Sequence, residues 1–432
     1  MEKAKVGYSV GVITPTLGLG MAGYATETRL STAVHDELKT RVLLIEQNGE
    51  SYLIVQNDLI GIDYAFSDRV KDIAQKHGIS NKDNVFVGVI HTHSGPKGTM
   101  QSTMGMSDEG SARMRGVYNE EMCEKMFEVI ENCILEAAQN KSACSINYNF
   151  TEVEGVAENR NNKTLPCDKT LLAMEFVRED GKKLLLYHYS CHPTVLHIDN
   201  TEYTADWPYG VSKSAEGSKY EMTLFLNGSA GDVSTRFTRS APSHEEAERI
   251  GKLLYSHIEK ALLEPCGEEI TSLKSESLVY KMQLRPFGTI EEEEQKLEKY
   301  RKEVEEAKAR GETSLRLYES RAEGAYLNLA RAKFFTGDTE VDIRIQSLRL
   351  NDFVFIFLPN ELFSALTLPV RQELGKKVVF CTYFTGSHGY ICDTVAYDNE
   401  TYEAMCSPFQ RGAGEKLMEK AKEIVVSITA SL

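Results

Sequence analysis

The sequence has little of what marks membrane proteins or strings of small domains. It has one tryptophan and eleven prolines in 432 residues, with no internal repeat and no proline-rich or serine-rich linker. No apolar run approaches the roughly 18 to 20 residues of a transmembrane segment. The first residues also lack the apolar stretch of a secretory signal. We therefore expect one large cytoplasmic domain over residues 1–432, with no transmembrane segment.

Positive charge is also scarce. Lysine and arginine number 49 against 64 aspartates and glutamates, which gives a net charge of −15. Nucleic-acid phosphates require a basic surface, and so does electrostatic binding to anionic lipid. We therefore expect no nucleic-acid partner, and the expected partner is a small molecule. Nothing in the sequence indicates an oligomeric state.

Paired cysteines are absent as well. The nine cysteines are odd in number and scattered, and no two of them form a CxxC pair. This pattern is typical of reduced thiols, and it excludes zinc-finger spacing and a disulfide framework.

Strand and helix patterns alternate along most of the chain. Apolar strands at 41–47 and 52–57 are followed by a helical pattern at 65–77 and a strand at 85–90. A strand, a helix and a strand in succession are typical of a largely parallel sheet. Further on, residues 111–139 read as one long helix. The predicted fold is a single large mixed α/β domain.

The segment at about 290–335 has a different composition. It is rich in charge, with apolar residues at helical spacing and a break near Gly311, which predicts an inserted helical hairpin. Such a segment is typical of a solvated appendage without a chemical role.

An apolar strand that ends in a histidine pair is the most informative local feature. Residues 85–90 run directly into His91-Thr-His93-Ser-Gly-Pro96, where the chain must turn. Side chains two residues apart share one face of a strand, so His91 and His93 can point at one site. Imidazole is the commonest metal ligand in proteins, and the carboxyl ends of strands are where α/β proteins usually build sites. Two histidines in an ordinary loop are the alternative.

Three later strands end in side chains of the same kind. His192 follows one strand, Glu361 follows another at the expected start of a helix, and Tyr390 follows a third in a glycine-containing loop with His388. A capping role at the helix start is the alternative for Glu361. Two histidines, one glutamate and an open position make a catalytic zinc set, and a tyrosine phenolate is a less usual further ligand. The sequence therefore predicts a Zn²⁺ site where strands end.

A glycine-rich loop follows a fourth strand. It reads Asn227-Gly-Ser-Ala-Gly-Asp232-Val-Ser234 and offers backbone N–H groups, an acid and a hydroxyl. The loop has no lysine and lacks the spacing of a P-loop. An oxyanion-stabilising loop with Ser234 as a reactive or positioning residue is the functional interpretation, and a plain turn is the alternative.

Taken in order, these segments resemble the neutral/alkaline (non-lysosomal) ceramidase family, zinc-dependent amidases that cleave the N-acyl bond of ceramide. The segment His91–Pro96 is similar to the family's HTHSGP signature, and Asn159-Arg160 is similar to its Asn-Arg pair. The resemblance covers about residues 6 to 405. It implies these site residues: the zinc ligands His91, His192, Glu361 and Tyr390, and the catalytic residues Ser234, His93, Arg160 and Tyr402.

The resemblance also implies roles for the catalytic residues. Ser234 would attack the amide carbonyl, with His93 or the metal assisting its deprotonation. In the alternative, water activated at the zinc attacks and Ser234 orients it, and the sequence leaves both open. Arg160 and Tyr402 would bind the carbonyl or the polar head of the substrate.

The expected function is zinc-dependent hydrolysis of an N-acyl bond, as in sphingolipid metabolism. The chain departs from the family in lacking an export signal and the length for a C-terminal β-sandwich domain, and Asn360 stands where the family usually has glycine. Two alternatives therefore stay open. One is a zinc hydrolase of a small soluble N-acyl compound or ester, and the other is a non-catalytic binding protein on the same scaffold that docks through its helical hairpin.

Overall fold

The computed structural model describes residues 3–24, 29–102, 106–312, 315–335 and 339–430. Its strands, in chain order, are β1 Lys5–Val12, β2 Ala33–Val34, β3 Lys39–Gln47, β4 Glu50–Asn57, β5 Val85–Val89, β6 Ser142–Glu152, β7 Glu158–Asn159, β8 Thr170–Arg178, β9 Lys183–Tyr189, β10 Glu202–Tyr203, β11 Met222–Asn227, β12 Val233–Ser234, β13 Cys266–Glu269, β14 Leu273–Gln283, β15 Glu340–Leu350, β16 Phe353–Phe357, β17 Glu361–Leu362, β18 Val378–Cys381 and β19 Tyr390–Ile391. Its helices are α1 Tyr64–Lys76, α2 Asp108–Arg115, α3 Glu120–Gln139, α4 Trp207–Ala215, α5 His244–Ala261, α6 Ile290–Ala309, α7 Arg316–Phe334, α8 Ser364–Leu374, α9 Thr394–Asp398, α10 Tyr402–Cys406 and α11 Ala413–Ala430.

The larger sheet has the strand order β11-β9-β8-β6-β1-β3-β4-β5, with β13 added beside β6. Its strands are parallel at the two ends, where β4 meets β5 and β9 meets β11. The remaining pairs are antiparallel. Short connections such as the turn at Asn48 and Gly49, both at positive φ, force neighbouring strands to run in opposite directions. The expectation of a largely parallel sheet is therefore wrong, whereas the mixed α/β fold class is confirmed.

A smaller sheet, β14-β15-β16-β18, packs face to face against the larger one. The Phe86 ring of β5 stacks on the Phe357 ring of β16, with centroids 4.5 Å apart. Helices cover the outer faces, with α1 and α3 on one side and α8 and α11 on the other. Successive residues of β5 alternate between the inner and outer cores, which explains why this strand is apolar throughout.

Two helix boundaries differ from the sequence prediction. The expected helix over 111–139 is wrong as one element, because Gly116 adopts a φ of 84° and ends α2 before α3 begins. The expected helix start at Glu361 is also wrong. Glu361 and Leu362 form β17, and the first residue of α8 is Ser364, whose N–H donates to Oδ1 of Asp232 at 2.7 Å. The helix therefore obtains its acid from another loop, and Glu361 is free of a capping role.

The predicted helical hairpin is present as α6 and α7. Thr289 and Glu292 form a capping box at its start, and Leu297, Ala325 and Leu329 make a small core between its helices. A Cβ added at Gly324 of α7 would lie 2.8 Å from Cβ of Met405, so α7 packs closely on α10. The hairpin therefore lies against the body of the protein.

Two expectations about the chain as a whole can be compared with the structure. All nine cysteines are free thiols, as the sequence predicts. Among the described helices, none is long and apolar enough to cross a membrane.

Candidate metal centre

Short backbone pairings bring the ends of distant strands together. His192 and Ser234 form a parallel bridge, and β12 also pairs with β7, which carries Asn159. Glu361 of β17 and Tyr390 of β19 are direct partners in a parallel pair. Residues paired in this way project their side chains to the same face. Positions far apart in the chain therefore meet at one place.

The backbone of His91 is held in an unusual conformation. Its φ is 71°, in the left-handed region that residues other than glycine rarely adopt. Its N–H donates to the carbonyl of Leu59 at 2.9 Å, and its ring stacks on Tyr383 with centroids 4.1 Å apart. Such strain persists only where the surroundings impose it, and it tends to occur at functional sites.

Three lone-pair donors converge at the side chains of His91, His192 and Glu361. Nδ1 of His91 lies 2.6 Å from the carbonyl oxygen of Ile60, and Nδ1 of His192 lies 2.5 Å from that of Ala230. A carbonyl only accepts hydrogen bonds, so each Nδ1 carries a proton, and the Nε2 atom of each ring points to the other side. In a neutral ring that Nε2 atom has a lone pair.

Those two Nε2 atoms face one carboxylate oxygen. Oε2 of Glu361 lies 3.3 Å from Nε2 of His91 and 3.2 Å from Nε2 of His192. With both rings neutral, these three atoms are all acceptors, and acceptors at such distances repel one another unless a proton or a metal cation lies between them. Orientation of the imidazoles by carbonyl groups on their far side is the usual arrangement around a metal-binding histidine. The residues present therefore fit Zn²⁺.

The charge states of these groups follow from their burial. Burial, with Arg160 nearby, lowers the pKa of His192 to about 4. Burial acts to raise the pKa of the Glu361 carboxyl, but His91 and His192 outweigh it and hold that pKa well below its ordinary value. At neutral pH the centre thus presents a carboxylate and a neutral imidazole of His192.

His93 contributes a third imidazole. One ring nitrogen from each of His91, His93 and His192 lies within 4.8 Å of the other two. Both ring nitrogens of His93 are buried without a hydrogen-bond partner, and burial lowers its pKa well below the ordinary value. Gly23 makes room for the ring, because a Cβ there would lie 2.6 Å from it. The different roles predicted for His91 and His93 stay predictions.

Tyr390 lies beside the carboxylate in the sheet pairing but is a neutral phenol in this environment. Burial raises its pKa well above the ordinary value. The guanidinium of Arg160 lies over its ring, 5.3 Å from the centroid, and the ring of Tyr402 lies 6.1 Å away. His388, which shares the loop of Tyr390, packs edge-on against Tyr64.

Arg160 is held in place with one buried donor left unpaired. Its Nε donates to Oε1 of Glu403 at 2.7 Å, and its backbone N–H donates to the carbonyl of Asp232. Its Nη2 is buried without a hydrogen-bond partner.

Ser234 follows the glycine-rich loop. Its hydroxyl oxygen accepts from the N–H of Arg236 at 3.2 Å. The loop approaches β17 so closely that a Cβ at Gly231 would lie 2.7 Å from the carbonyl oxygen of Glu361. Glycine at this position therefore allows the loop and the glutamate strand to pack together. Behind the loop, burial raises the pKa of Asp232 to about 7.

Two cavities meet at these residues. The outer cavity, of about 900 Å³, is lined by Ser234 and Arg160. The inner cavity, of about 150 Å³, is lined by His91 and Glu361. Both are lined by Gly23, Tyr24, His93, Tyr390 and Tyr402. Seven of the eight predicted site residues thus line one cavity or both. The eighth, His192, lies behind them in contact with Glu361.

The helical hairpin forms one wall of the outer cavity. Leu297 and Val304 of α6 and Ala322 and Tyr326 of α7 face into it. The interpretation of this segment as a solvated appendage is therefore wrong. Charge and helical spacing describe each helix, but they do not reveal what the paired helices cover.

Three residues around the centre escaped the sequence prediction. Tyr24 lies edge-on to His93, Tyr383 stacks on His91, and Glu403 holds Arg160. Glu403 directly follows Tyr402 in the sequence. A carboxylate beside a predicted site residue was therefore a signal that could have identified it. Tyr24 and Tyr383 carry no local signal, because aromatic residues are usual in a core.

A buried strand-end cluster fitted to a divalent metal defines the class of site. Comparison with protein families then identifies the chain. The family model described as neutral/alkaline non-lysosomal ceramidase, N-terminal, matches residues 5–237. This is more than half of the chain, and the chain belongs to that family.

Individual relatives agree with this assignment. The neutral ceramidase of Oryza sativa subsp. japonica is 26% identical over 234 residues, which cover 50% of this chain and 29% of the relative. The match thus spans less than a third of that relative's length. The crystal structure of neutral ceramidase from Pseudomonas aeruginosa aligns with a TM-score of 0.76 at 17% identity, covering 100% of this chain and 75% of that one. A ceramidase complexed with C2 aligns at 0.75 and 16% identity, covering 100% and 76%. These two likenesses show the shared fold.

Proposed function

We propose that residues 1–432 act as one zinc-dependent hydrolase domain that cleaves the N-acyl bond of a linear amide. The observation that carries the proposal is the meeting of the two Nε2 lone pairs of His91 and His192 with the Glu361 carboxylate. Membership of the neutral/alkaline ceramidase family supports an amide as the bond that is cleaved.

The residues proposed to hold the metal are His91, His192 and Glu361, with Tyr390 as a fourth ligand. Bound there, Zn²⁺ would supply a Lewis acid that polarises the substrate carbonyl.

Ser234 and His93 are the proposed catalytic pair. Both line the outer cavity. His93 is neutral near pH 7, because burial lowers its pKa, so it can accept the proton of the Ser234 hydroxyl as the oxygen attacks the carbonyl carbon. His93 then returns that proton to the amine nitrogen when the C–N bond breaks. Water then attacks the acyl ester and gives its proton to His93, which passes that proton to the Ser234 oxygen as the ester C–O bond breaks.

Arg160 is the proposed binding group for the carbonyl oxygen. Its buried Nη2 has no hydrogen-bond partner in the protein, and the group lines the same cavity as Ser234. The ion pair with Glu403 fixes the guanidinium in place before substrate arrives. A fixed donor of this kind stabilises negative charge that develops during the reaction. Tyr402 lines the passage between the two cavities.

Metal analysis combined with a substrate screen tests the proposal. We expect the purified protein to bind one Zn²⁺ and to hydrolyse N-acyl amides of graded chain length, ceramide among them. We expect His192→Ala to lose both zinc and hydrolysis, because it removes one of the converging lone pairs. His257→Ala, a histidine of α5 away from the site, is the matched control and should retain both.

Two outcomes would contradict the proposal. Zinc and activity retained by His192→Ala would remove this residue from the ligand set. A wild-type protein without stoichiometric metal and without hydrolysis of any N-acyl compound would favour the non-catalytic alternative.

A further inference from the structure

The inner cavity has a cationic wall, made of Lys97, Arg115 and Arg331. Among the described residues that line this cavity, Glu361 is the one carboxylate, and it belongs to the proposed metal centre. The wall thus faces a small space with positive charge, in a protein whose net charge is −15.

Arg331 of α7 is buried without a carboxylate partner. Its side chain is 8% exposed, and its Nη1 donates to Oδ1 of Asn328 at 3.4 Å. That same amide oxygen accepts from Arg285, so two guanidinium groups share one neutral acceptor. Burial, together with Arg285 and Arg115, lowers the pKa of Arg331 to about 10, which still leaves it charged at neutral pH. A buried charge without a counter-ion is costly, and proteins normally avoid it.

Arg115, at the end of α2, repeats the pattern from the other side. Its Nε is buried without a hydrogen-bond partner. Its charge adds to that of Arg331, because Arg115 contributes to the lowered pKa of Arg331. Within the described part of the chain, neither guanidinium forms an ion pair with a carboxylate.

The outer cavity has a different charge balance. Three carboxylates, Glu305, Glu319 and Glu323, line it together with its arginines. Glu305 forms an ion pair with Lys308 at 2.9 Å. The outer cavity therefore offers several carboxylates to its cations, whereas Glu361 is the one carboxylate among the described residues of the inner cavity.

Size assigns the two halves of an N-acyl substrate to the two cavities. The inner cavity, at about 150 Å³, is much smaller than the outer cavity, at about 900 Å³ on the same measure. The hairpin wall of the outer cavity carries apolar side chains among its charged ones, and the larger space accommodates the acyl chain. The amine half is therefore assigned to the smaller cavity, beside the cationic wall.

We propose that the amine half of the substrate carries an anionic group, which Arg331 and Arg115 bind, so that the substrate is an N-acyl amino acid or a close analogue. The proposal rests on the hydrolase function proposed above. Water adds across the C–N bond, and the products are a carboxylic acid from the acyl half and a free amino acid from the amine half. Glycine is the smallest amino acid that could form this amine half.

Three substrates with one acyl chain test this assignment: N-dodecanoylglycine, the neutral N-dodecanoylglycinamide and the sulfonate N-dodecanoyltaurine. We expect wild-type kcat/KM to be about 30-fold or more higher for the glycine compound than for the glycinamide, as a buried charge pair would produce. Faster cleavage of the taurine compound than of the glycine compound would support a sulfonate as the anion, whereas equal rates for all three would overturn the proposal.

Arginine variants identify the groups that bind the anion. Arg331→Gln should lower kcat/KM for the glycine compound by about 30-fold or more and change that for the glycinamide by less than about threefold. Arg115→Gln should shift the preference in the same direction. Lys302→Gln, an exposed lysine of α6, is the matched control and should leave the preference unchanged. Equal losses on the charged and neutral substrates would overturn the proposal.

A binding measurement separates this proposal from the proposed function. Calorimetry measures binding of N-dodecanoylglycine to the wild-type protein and to the Arg331→Gln variant. We expect weaker binding to the variant, whether or not hydrolysis occurs. Binding that depends on Arg331 in a protein without hydrolysis would contradict the hydrolase function and support the anion site. Hydrolysis of the neutral amides alone, with no binding of the glycine compound, would leave the hydrolase function standing and overturn the anion site.

Discussion

The candidate metal centre and the cationic wall are two neighbouring regions that lack opposite charges. The first lacks a cation, and the second lacks an anion. At the candidate metal centre, the Nε2 atoms of His91 and His192 face one carboxylate oxygen of Glu361, so neutral rings bring two lone pairs to a carboxylate. At the cationic wall, the guanidinium groups of Arg115 and Arg331 face a cavity without an opposing carboxylate. Buried polar groups in folded proteins normally have partners. Where the chain does not provide a partner, the missing charge indicates the charge of the ligand that binds there.

Other buried charges of the same protein show that the chain supplies partners elsewhere. Arg41 donates to Asp58 at 2.7 Å, and Arg371 forms an ion pair with Asp168. Arg371 and Arg331 are both 8% exposed, yet only Arg371 of these two has a carboxylate. The difference between the two arginines is therefore the absence of a counter-ion and not the depth of burial.

The largest expected effect tests whether the candidate metal centre can support hydrolysis without Ser234. Ser234→Ala should retain stoichiometric zinc and lose activity by at least about 100-fold, the usual effect of removing one positioned catalytic group. Metal content and kcat measured on the same sample give the comparison. Ser229→Ala, another buried hydroxyl of the same loop, should keep both, since its Oγ has no hydrogen-bond partner. An unchanged rate in Ser234→Ala would remove this serine from the chemistry.

A smaller effect tests the repulsion inferred at the metal centre. In metal-free protein at pH 8.5, Glu361→Gln should raise the free energy of unfolding by about 2 kcal/mol, because the glutamine amide can donate to an Nε2 lone pair. Chemical denaturation with a chelator present measures the change. Glu291→Gln, on the first turn of α6, should have no such effect. A less stable Glu361→Gln would show that a protonated histidine already pairs with the carboxylate.

The smallest expected effect tests the cationic wall in the same way. Arg331→Met should raise the free energy of unfolding by about 1 kcal/mol in the absence of substrate, because it removes an unpaired buried charge. Arg371→Met is the matched comparison and should lower it by about 3 to 5 kcal/mol, because it leaves the buried Asp168 carboxylate without its cationic partner. Destabilisation of the two variants by similar amounts would show that Arg331 has a counter-ion of its own.

Local sequence patterns were sufficient to predict those candidate site residues that directly follow strands. His91, His192, Glu361 and Tyr390 each follow an apolar run, and the fold brings these run ends together. The element assigned to Glu361 was wrong because β17 is two residues long and exists through its pairing with β19. Pairing between distant segments leaves no periodic pattern in either one.

The cationic wall lay beyond prediction for a similar reason. Arg115 ends α2 and Arg331 lies in α7, inside segments whose charges are typical of solvated helices. Only the packing of α7 against α10 and α2 turns these residues to the cavity. The antiparallel character of the larger sheet also depends on which strands pair, whereas composition and periodicity could predict its mixed α/β class.

The hairpin of α6 and α7 leaves and rejoins the smaller sheet at adjacent points. Gln283, at the end of β14, pairs directly with Glu340, at the start of β15. An insertion between paired strand ends can be exchanged or resized without shifting the register of the sheet, as surface loops commonly are. The hairpin wall of the outer cavity is therefore modular. Under the proposed assignment of the acyl chain to this cavity, engineered variants can acquire a new chain-length range by replacing this one segment while the strand ends stay unaltered.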